Sequence, residues 1–394
     1  MIRQISPKPI RGTVEAIASK SMAHRLMICA ALAKRPTRIA CRTTSKDIEA
    51  TRSCLAAIKA NTSPLPCGES GSTLRFLLPV VAALGLDTAF YMEGRLPDRP
   101  LFPLDEQLTA HGAVLQKDGA VLHVSGALTP GDYVLPGNVS SQYISGLLFA
   151  LPLLDAPSTL TVTGRVESAP YISMTLNALR QFGIMIEQQD NVYHIPACSY
   201  ESPGEAVVEG DWSNAAFWLC AGAVSAPVTV TGLDPDSLQG DKAIFSLLEQ
   251  FGARCEQQGN AFSVSPGALH GISIDAAAIP DLVPILSIVA AKAEGVTTIY
   301  NAQRLRLKES DRIETVLQLL RDLGAQAEET ADGLKIFGGK PLTGGTTSSH
   351  NDHRIAMAAA VAGSLCTAPV ILHGAEAVEK SYPHFWEDLE TLTR

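Results

Sequence analysis

The sequence predicts an α/β protein that is built from six similar repeats and divided into two domains. Three observations lead to this prediction. One local pattern recurs about every 70 residues, each repeat contains a strongly apolar helix, and a chain of 394 residues is too long for one compact core. A fixed period of this length is typical of repeated supersecondary units. We therefore expect two groups of three repeats.

The recurring pattern is an amphipathic helix that ends at a glycine and leads into a hairpin of two strands. Gly112, Gly183, Gly252 and Gly324 occupy the same place in it, as in "LTAHGAVLQKDGAVLHV" and "LEQFGARCEQQGNAFSV". Glycine is preferred just after a helix because it adopts the left-handed backbone conformation without steric cost. Short strands such as "TLTVTG" and "VTTIYN" precede these helices.

A second helix in each repeat is apolar nearly all round, which predicts that it is buried. These helices open in small polar residues that suit N-caps, and their sequences read "SKSMAHRLMICAALA", "GESGSTLRFLLPVVAAL", "SSQYISGLLFALPLL", "DWSNAAFWLCAGAVS", "IPDLVPILSIVAAKA" and "NDHRIAMAAAVAGSL". Basic residues stand among the openings at Lys20, Arg25, Arg75 and Arg354. A cation beside a helix N-terminus is disfavoured by roughly 0.3–1 kcal/mol. Helix N-termini with added cations predict a ligand with more than one phosphate or carboxylate.

The boundary between the domains is predicted near "YESPGEAVVEGDW", a stretch rich in glycine, proline and acidic residues around Gly210. The sixth repeat lacks its hairpin, and "IRQISPKPI" at the N-terminus is available to supply a strand there. We therefore assign 1–12 and 212–394 to one domain and 13–211 to the other, with three repeats in each. Two crossings, near 12 and 211, form a hinge that suits a cleft closing on a ligand.

The composition argues against several classes of protein. Hydrophobic residues make up 46% of the chain and charged residues 18%, which is typical of globular proteins. A net charge of −9 argues against a nucleic-acid partner, and no apolar run reaches the roughly 18–20 residues of a membrane span. The eight cysteines form no CxxC pair, so neither a disulfide framework nor a metal site is expected. No targeting segment is recognisable, and we expect a cytoplasmic monomer.

Four motifs taken together resemble the enolpyruvyl transferase family. They are "SKSMAHR", "GNVSSQY", "RLKESDR" and "NDHR", and their order and spacing match along the whole chain, although each alone is weak. The resemblance implies two inside-out α/β barrel domains in which the helices are buried and the sheets face solvent. It also implies transfer of the enolpyruvyl group of phosphoenolpyruvate to the 5-hydroxyl of shikimate 3-phosphate. This step of the shikimate pathway, in aromatic amino-acid biosynthesis, passes through a tetrahedral intermediate and needs no metal or organic cofactor.

The resemblance further implies which residues bind the two substrates. Contacts to shikimate 3-phosphate are expected from Lys20, Ser21, Arg25, Ser140, Ser141, Gln142, Ser168, Tyr171, Asp281 and Lys308. Contacts to phosphoenolpyruvate are expected from Lys20, Gly71, Arg99, Gln142, Arg312, Arg354 and Lys380. Cations are required because two phosphates and a carboxylate repel one another in a low-dielectric site. Gly71 lacks a Cβ and so lets a ligand approach the backbone closely.

Three residues are implied to be catalytic, namely Lys20, Asp281 and Glu309. Asp281 in "AIPDLVP" resembles the residue that accepts the 5-hydroxyl proton, and Glu309 resembles the one that protonates the methylene carbon. Neighbouring cations lower the pKa of a carboxyl group, so protonation of Glu309 would need the charge of the bound ligand. Taken alone, Asp281 is equally typical of a helix cap, and "RLRLKESDR" of a solvated helix start with internal ion pairs.

Arg354 is the residue for which the sequence poses a specific electrostatic question. Its guanidinium offers a planar fork that suits the carboxylate of phosphoenolpyruvate. Asp352, two residues before it, is typical of an N-cap. We also expect Asp352 to hold the Arg354 side chain in the absence of ligand.

Two other functions remain open from the sequence. The first is enolpyruvyl transfer to UDP-N-acetylglucosamine; the sister family with that activity usually carries a cysteine before its Arg-Pro pair, whereas "GRLPDRPL" has none. The second is a non-catalytic phosphate-binding protein of the same fold. The presence of both Asp281 and Glu309 argues against it, because a binding module needs no paired acid and base.

Overall fold

The computed structural model describes all residues from Met1 to Arg394 and is a mixed α/β structure. The helices are α1 Lys20–Leu32, α2 Lys46–Ala60, α3 Gly71–Ala83, α4 Leu104–Ala110, α5 Ser141–Ala150, α6 Ala169–Gln181, α7 Trp212–Val224, α8 Ile244–Phe251, α9 Val283–Lys292, α10 Arg312–Asp322, α11 His353–Gly363 and α12 Phe385–Leu392. None of them is both long and apolar enough to cross a bilayer.

The strands are short and alternate with the helices along the chain. They are β1 Ile2–Ile5, β2 Gly12–Glu15, β3 Arg38–Ala40, β4 Leu65–Gly68, β5 Thr88–Met92, β6 Ala113–Asp118, β7 Val121–Gly126, β8 Asp132–Pro136, β9 Ser158–Thr163, β10 Glu187–Gln189, β11 Val192–Ile195, β12 Glu205–Val207, β13 Val228–Thr231, β14 Arg254–Gln258, β15 Ala261–Ser265, β16 Ser273–Asp275, β17 Val296–Tyr300, β18 Gln326–Glu329, β19 Leu334–Phe337, β20 Gly345–Ser348 and β21 Val370–His373.

The chain forms two compact units. The terminal unit consists of Met1–Ser19 and Glu209–Arg394, and the central unit of Lys20–Val208. The chain therefore passes from one unit to the other after Ser19 and after Val208, whereas the sequence places the crossings near 12 and 211. Strand β2 belongs to the terminal unit because it pairs in parallel with β13.

One sheet pattern recurs in both units and confirms the predicted repeats. Two parallel strands are followed by an antiparallel hairpin, in the orders β4-β5-β7-β6 and β8-β9-β11-β10 in the central unit and β2-β13-β15-β14 and β16-β17-β19-β18 in the terminal unit. The remaining repeats are shorter, with the parallel pair β3-β12 in the central unit and the sheet β20-β21-β1 in the terminal unit. In that last sheet β1 pairs antiparallel with β21, where the four longer repeats have a hairpin strand. This pairing covers an edge that would otherwise expose its hydrogen-bonding groups.

The apolar helices of the repeats are buried, as predicted. Every residue of α7 and every residue of α11 is buried, and most residues of α1, α3, α5 and α9 are too. Strands such as β8 and β9 alternate buried with more exposed residues, so their sheet covers the helices with one face and meets water with the other. This inside-out arrangement confirms the predicted fold class.

Glycine ends the amphipathic helices for the predicted reason. Gly112, Gly183, Gly252 and Gly324 have φ angles of 105°, 79°, 99° and 81°, in the region that side chains with a Cβ rarely adopt. At Gly252 a Cβ would also lie 2.4 Å from the carbonyl oxygen of Ala268. The hairpin that follows each helix therefore starts from a sharp turn that only glycine accommodates.

Candidate active site

The residues expected to bind anions fall into two sets, one in each compact unit. The central set contains Lys20, Ser21, Arg25, Gly71, Arg99, Ser140, Ser141, Gln142, Ser168 and Tyr171. The terminal set contains Asp281, Lys308, Glu309, Arg312, Arg354 and Lys380.

Lys20 is the first residue of α1, and its ammonium is held by a carboxylate on α2. Its Nζ lies 2.8 Å from Oδ2 of Asp47, and both side chains are largely buried, with exposed fractions of 13% and 14%. Asp47 lies in the first turn of α2, where a carboxylate also suits the helix dipole. Asp47 is not among the residues predicted from the sequence, because nothing in "SKDIEA" distinguishes it from an ordinary acidic residue at a helix start.

Arg25 is buried in the central unit and joins α1 to α6. Its Nε donates to Oγ1 of Thr175 at 2.9 Å, and its two terminal nitrogens donate to the carbonyl oxygens of Ser21 at 2.6 Å and Tyr171 at 2.8 Å. Burial lowers the pKa of Arg25 to about 10, so the group is still a cation at neutral pH. The backbone at Ser21 and at Tyr171 is thereby held by one guanidinium.

Gly71 begins α3 at a point where two arginine side chains cross the backbone. A Cβ at Gly71 would lie 2.5 Å from Nη1 of Arg75 and 2.8 Å from Nη1 of Arg99. Arg75 also donates to Oε1 of Gln142 at 3.1 Å, and Nε2 of Gln142 donates to Oγ of Ser72 at 2.9 Å. The missing Cβ therefore makes room for two guanidinium groups, in addition to the close ligand approach expected from the sequence.

Three serines of the central set stand at the N-terminal ends of α5 and α6. Ser140 caps α5 by accepting a hydrogen bond from the backbone N–H of Gln142 at 3.2 Å, and Ser141 is the first residue of that helix. Ser168 precedes α6 with a φ of 55°, a strained conformation for a residue other than glycine. The first N–H groups of a helix lack intrahelical partners, so both ends are suited to bind anions.

Arg312 is the centre of the terminal set, where it contacts three carboxylates. Its side chain is 1% exposed, and its nitrogens lie 2.7 Å from Oδ1 of Asp281, 2.7 Å from Oε2 of Glu309 and 2.7 Å from Oδ2 of Asp352. Burial alone would lower the pKa of Arg312, but the three carboxylates raise it well above its ordinary value. Both carboxylates expected to move protons are thus held by one buried cation.

Asp281 lies in a 3-10 turn, Pro280–Leu282, and is surrounded by cations. Besides Arg312, it lies 2.9 Å from Nη2 of Arg354 and 3.5 Å from Nζ of Lys308. Burial alone would raise the pKa of Asp281, but Arg354, Lys308 and Arg312 hold it well below its ordinary value. The reading of Asp281 as a plain helix cap is wrong, because the N-cap position of α9 is Leu282.

The expectation that Asp352 holds the Arg354 side chain is also wrong. Oδ1 of Asp352 accepts a hydrogen bond from the backbone N–H of Arg354 at 2.9 Å, which is the predicted cap. The carboxylate binds the guanidinium of Arg312, and the guanidinium of Arg354 binds Asp281 and Oγ of Ser213, the latter at 3.0 Å. The Asp352 carboxylate is directed at the backbone of the first turn of α11 because it caps that helix. In this position it contacts the guanidinium of Arg312 on α10 and not the side chain of Arg354.

Two lysines complete the terminal set. Nζ of Lys380 donates to the carbonyl oxygen of Asn351 at 2.6 Å, which places it at the turn before α11. Lys308 lies between the 3-10 turn Gln303–Leu307 and Glu309, and burial lowers its pKa. A lysine whose ammonium is poorly solvated is well suited to bind an incoming anion.

Asp241 is a further member of the terminal set that the sequence analysis missed. It is 1% exposed, it accepts a hydrogen bond from Ser213, and it interacts with Asp281 and Arg354. Burial, together with the charge of Asp281, raises the pKa of Asp241 to about 7. In sequence it is one acid in "LQGDKAIF", and only folding brings it beside residues 281 and 354.

The terminal set therefore offers buried cations next to two carboxylates, and the central set offers cations next to helix N-termini. Such an arrangement can bind anionic groups and also provide a general base and a general acid. An acceptor hydroxyl beside Asp281 can lose its proton to the carboxylate, and a double bond beside Glu309 can receive one.

Comparisons with known proteins identify the family. The family model of EPSP synthase (3-phosphoshikimate 1-carboxyvinyltransferase) matches residues 5–389. Proteins named 3-phosphoshikimate 1-carboxyvinyltransferase are similar over nearly their full length. The protein from Clostridium kluyveri is 39% identical, covering 98% of this chain and 96% of its own. The protein from Clostridium acetobutylicum is 41% identical, and the match covers 99% of this chain and 96% of that protein.

Solved structures agree with this result. EPSP synthase from Acinetobacter baumannii is similar with a TM-score of 0.81 and 26% identity, covering 100% of this chain and 98% of that chain. The enolpyruvyl transferase NikO from Streptomyces tendae has a TM-score of 0.79 at 19% identity, and the match covers 99% of this chain and 97% of that chain. This similarity shows a shared fold. The family model and the curated relatives span almost the whole sequence, so this chain belongs to the EPSP synthase (3-phosphoshikimate 1-carboxyvinyltransferase) family.

Proposed function

We propose that this protein transfers the enolpyruvyl group of phosphoenolpyruvate to the 5-hydroxyl of shikimate 3-phosphate and releases phosphate. The observation that carries the proposal is the contact of Arg312 with both Asp281 and Glu309, with Arg354 and Lys308 beside them. This arrangement supplies a base, an acid and the cations that the reaction requires. Membership of the family supports the same reaction.

The first proposed contacts of shikimate 3-phosphate are the serines at helix ends. Ser140, Ser141 and Ser168 would hold its phosphate, because hydroxyls and free backbone N–H groups at helix ends are good phosphate donors. Arg25 and Tyr171 support this surface through the hydrogen bond between them. Ser21, Lys20, Gln142 and Lys308 would complete it, with Asp281 at the hydroxyl under attack.

Phosphoenolpyruvate is proposed to bind to arginines and lysines. These residues are Lys20, Arg99, Arg312, Arg354 and Lys380, with Gly71 and Gln142 beside them. Both Arg312 and Arg354 bind the carboxylate of Asp281. An incoming carboxylate or phosphate would compete for these cations and would weaken their hold on Asp281.

The proposed chemistry follows from that competition. As the substrates neutralise its cations, the pKa of Asp281 rises, and the carboxylate becomes a stronger base for the 5-hydroxyl proton. The 5-oxygen then bonds to the carbon that carries the phosphate, while Glu309 delivers a proton to the methylene carbon. Collapse of the tetrahedral intermediate breaks the bond to phosphate, which takes the proton held by Asp281 as it leaves, and a methyl proton returns to Glu309 as the double bond is restored. Lys20 would stabilise the negative charge on the transferred group.

The acceptor is tested by phosphate release from phosphoenolpyruvate. We expect release with shikimate 3-phosphate and none with UDP-N-acetylglucosamine, at an unchanged rate when EDTA is present. Mass spectrometry of the product should show the enolpyruvyl ether. Release only with the sugar nucleotide would establish the sister reaction, and release with neither acceptor would favour a phosphate-binding protein.

Substitution of Gly71 by alanine should weaken phosphoenolpyruvate binding. The new Cβ would displace the guanidinium groups of Arg75 and Arg99, which it would meet at 2.5 and 2.8 Å. A displacement of about 1 Å near a reacting centre costs up to roughly 100-fold, so we expect KM for phosphoenolpyruvate to rise by about 10- to 100-fold. Gly131→Ala is the matched control, because its Cβ would meet only His111 at an ordinary 3.4 Å. Equal KM values in the two variants would contradict this role of Gly71.

Three further proposals concern the whole molecule. We propose a cytoplasmic enzyme, since the cysteines are all free thiols and most of them are buried, as suits a reducing compartment. A monomer is proposed, and size-exclusion chromatography with light scattering tests it. Limited proteolysis tests the two-domain division, and cleavage at the crossings after Ser19 and after Val208, instead of near 12 and 211, would agree with the two compact units.

A further inference from the structure

Four buried side chains of the central unit form a continuous hydrogen-bonded chain that no substrate role accounts for. Nδ1 of His24 lies 2.6 Å from Oγ1 of Thr51, which lies 2.6 Å from Oγ1 of Thr73. Oγ1 of Thr73 donates to Oγ of Ser70 at 2.7 Å. All four residues are at most 1% exposed. We call them the His24–Ser70 network.

The network connects the N-terminal parts of three helices. His24 is on α1, Thr51 on α2 and Thr73 on α3, and Ser70 is the N-cap of α3. Lys20 and His24 are one turn apart on α1, and their partners Asp47 and Thr51 are one turn apart on α2. The ion pair of Lys20 and the hydrogen bond of His24 are thus successive links between the same two helices.

The direction of the network follows from its donors. The hydroxyl hydrogen of Thr73 is used on Ser70, so Thr51 must donate to Thr73, and His24 must donate to Thr51. His24 therefore carries its hydrogen on Nδ1, and Nε2 is an acceptor, which is buried without a hydrogen-bond partner. Burial and the neighbouring cations Lys20 and Arg25 lower the pKa of His24 well below its ordinary value, which keeps the ring neutral.

We propose that the His24–Ser70 network is a positioning device that holds Lys20 on α1 in register with the turn at Gly71 on α3, and thereby sets the affinity for phosphoenolpyruvate. The inference rests on the proposed function. Ser70 immediately precedes Gly71, whose backbone is crossed by Arg75 and Arg99. Loss of one link lets α3 shift relative to α1, which moves the two parts of this anion site apart. None of the four side chains needs to touch the ligand.

Replacement of Thr51 by valine interrupts the network at its centre while keeping the volume of the side chain. We expect KM for phosphoenolpyruvate to rise by roughly 5- to 150-fold, which at 1.4 kcal/mol per tenfold corresponds to the loss of one buried hydrogen bond, about 1–3 kcal/mol. The value of kcat should stay within about twofold, and KM for shikimate 3-phosphate should change less than KM for phosphoenolpyruvate. Thr51→Ser keeps the hydroxyl and should restore the wild-type value.

Thr88→Val is the matched control for this experiment. Thr88 is buried in the same unit, and its Oγ1 has no hydrogen-bond partner, so the same change in chemistry breaks no link. Its KM values should equal those of the wild type. An unchanged KM in Thr51→Val, or an equal rise in Thr51→Val and Thr51→Ser, would overturn the proposal.

Two measurements test the His24–Ser70 network independently of the proposed reaction. Nitrogen NMR of histidine-labelled protein should identify the His24 ring by the loss of its signals in His24→Gln. In the wild type these signals should be those of the Nδ1–H tautomer, and they should shift in Thr51→Val. An Nε2–H form would overturn the proposal. If the wild type releases no phosphate, the proposed function fails, and the network is then judged by thermal shift with inorganic phosphate. If phosphate raises the Tm of Thr51→Val less than that of Thr88→Val, the positioning role of the network is supported. Equal increases in Tm would refute it.

Discussion

Replacement of Asp281 by asparagine should lower kcat by about 10²- to 10⁴-fold while the variant still binds both substrates. Asparagine keeps the size of the side chain but cannot accept the proton of the 5-hydroxyl. Arg312 and Arg354 remain in place through Asp352 and Ser213, so the anion-binding groups stay ordered. The measurements are steady-state phosphate release and equilibrium binding of each substrate.

Asp275→Asn is the control for that variant, because Asp275 is an exposed acid in the same unit. It should keep the wild-type rate, and full activity in Asp281→Asn would show that another group is the base.

The pKa shift of Asp281 adds a dependence of stability on pH. Because the folded-state pKa lies below the unfolded value of about 3.9, its stabilising contribution is present above that pH and disappears as the pH falls through the folded-state pKa. The asparagine variant should lack this part of acid unfolding.

Replacement of Arg312 by methionine should both destabilise the terminal unit and abolish turnover. The substitution leaves Asp352 completely buried and removes one partner from Asp281 and from Glu309. Removal of one member of a buried ion pair costs about 3–5 kcal/mol. For a unit of this size that corresponds to a fall in Tm of roughly 6–20 °C, measured by thermal unfolding.

Arg321→Met is the matched control, because Arg321 lies on the same helix but is exposed. Its Tm should change by little, since surface substitutions are usually within about 0.5 kcal/mol. Equal Tm values for the two variants would contradict the central role of Arg312.

The sequence was sufficient for the fold class and for much of the candidate chemistry. The 70-residue period, the glycines after the helices and the apolar helix of each repeat are local patterns, and local patterns survive in a single sequence. The structure then brought Asp281, Glu309 and Arg312 into contact, although 281 lies about thirty residues before the other two. The roles of these residues remain proposals.

Several partners had no signal in the sequence. Asp47, Thr175 and Asp241 are ordinary helix or turn residues in their own segments, and each matters only through a residue from another segment. The expected pairing of Asp352 with the Arg354 side chain was wrong for the same reason. Proximity in sequence favoured it, but the direction of the carboxylate at the end of α11 placed it against Arg312.

The sequence by itself determined the repeats, the burial of their apolar helices and the supply of cations at helix openings, because these depend on residue type and short-range spacing. Only the tertiary structure decided which carboxylate neutralises which cation, how β1 completes the last sheet and which way the His24–Ser70 network donates. Those features depend on the positions of side chains from distant segments. Ion pairs and hydrogen bonds form only within a few ångströms, and that distance is set by packing.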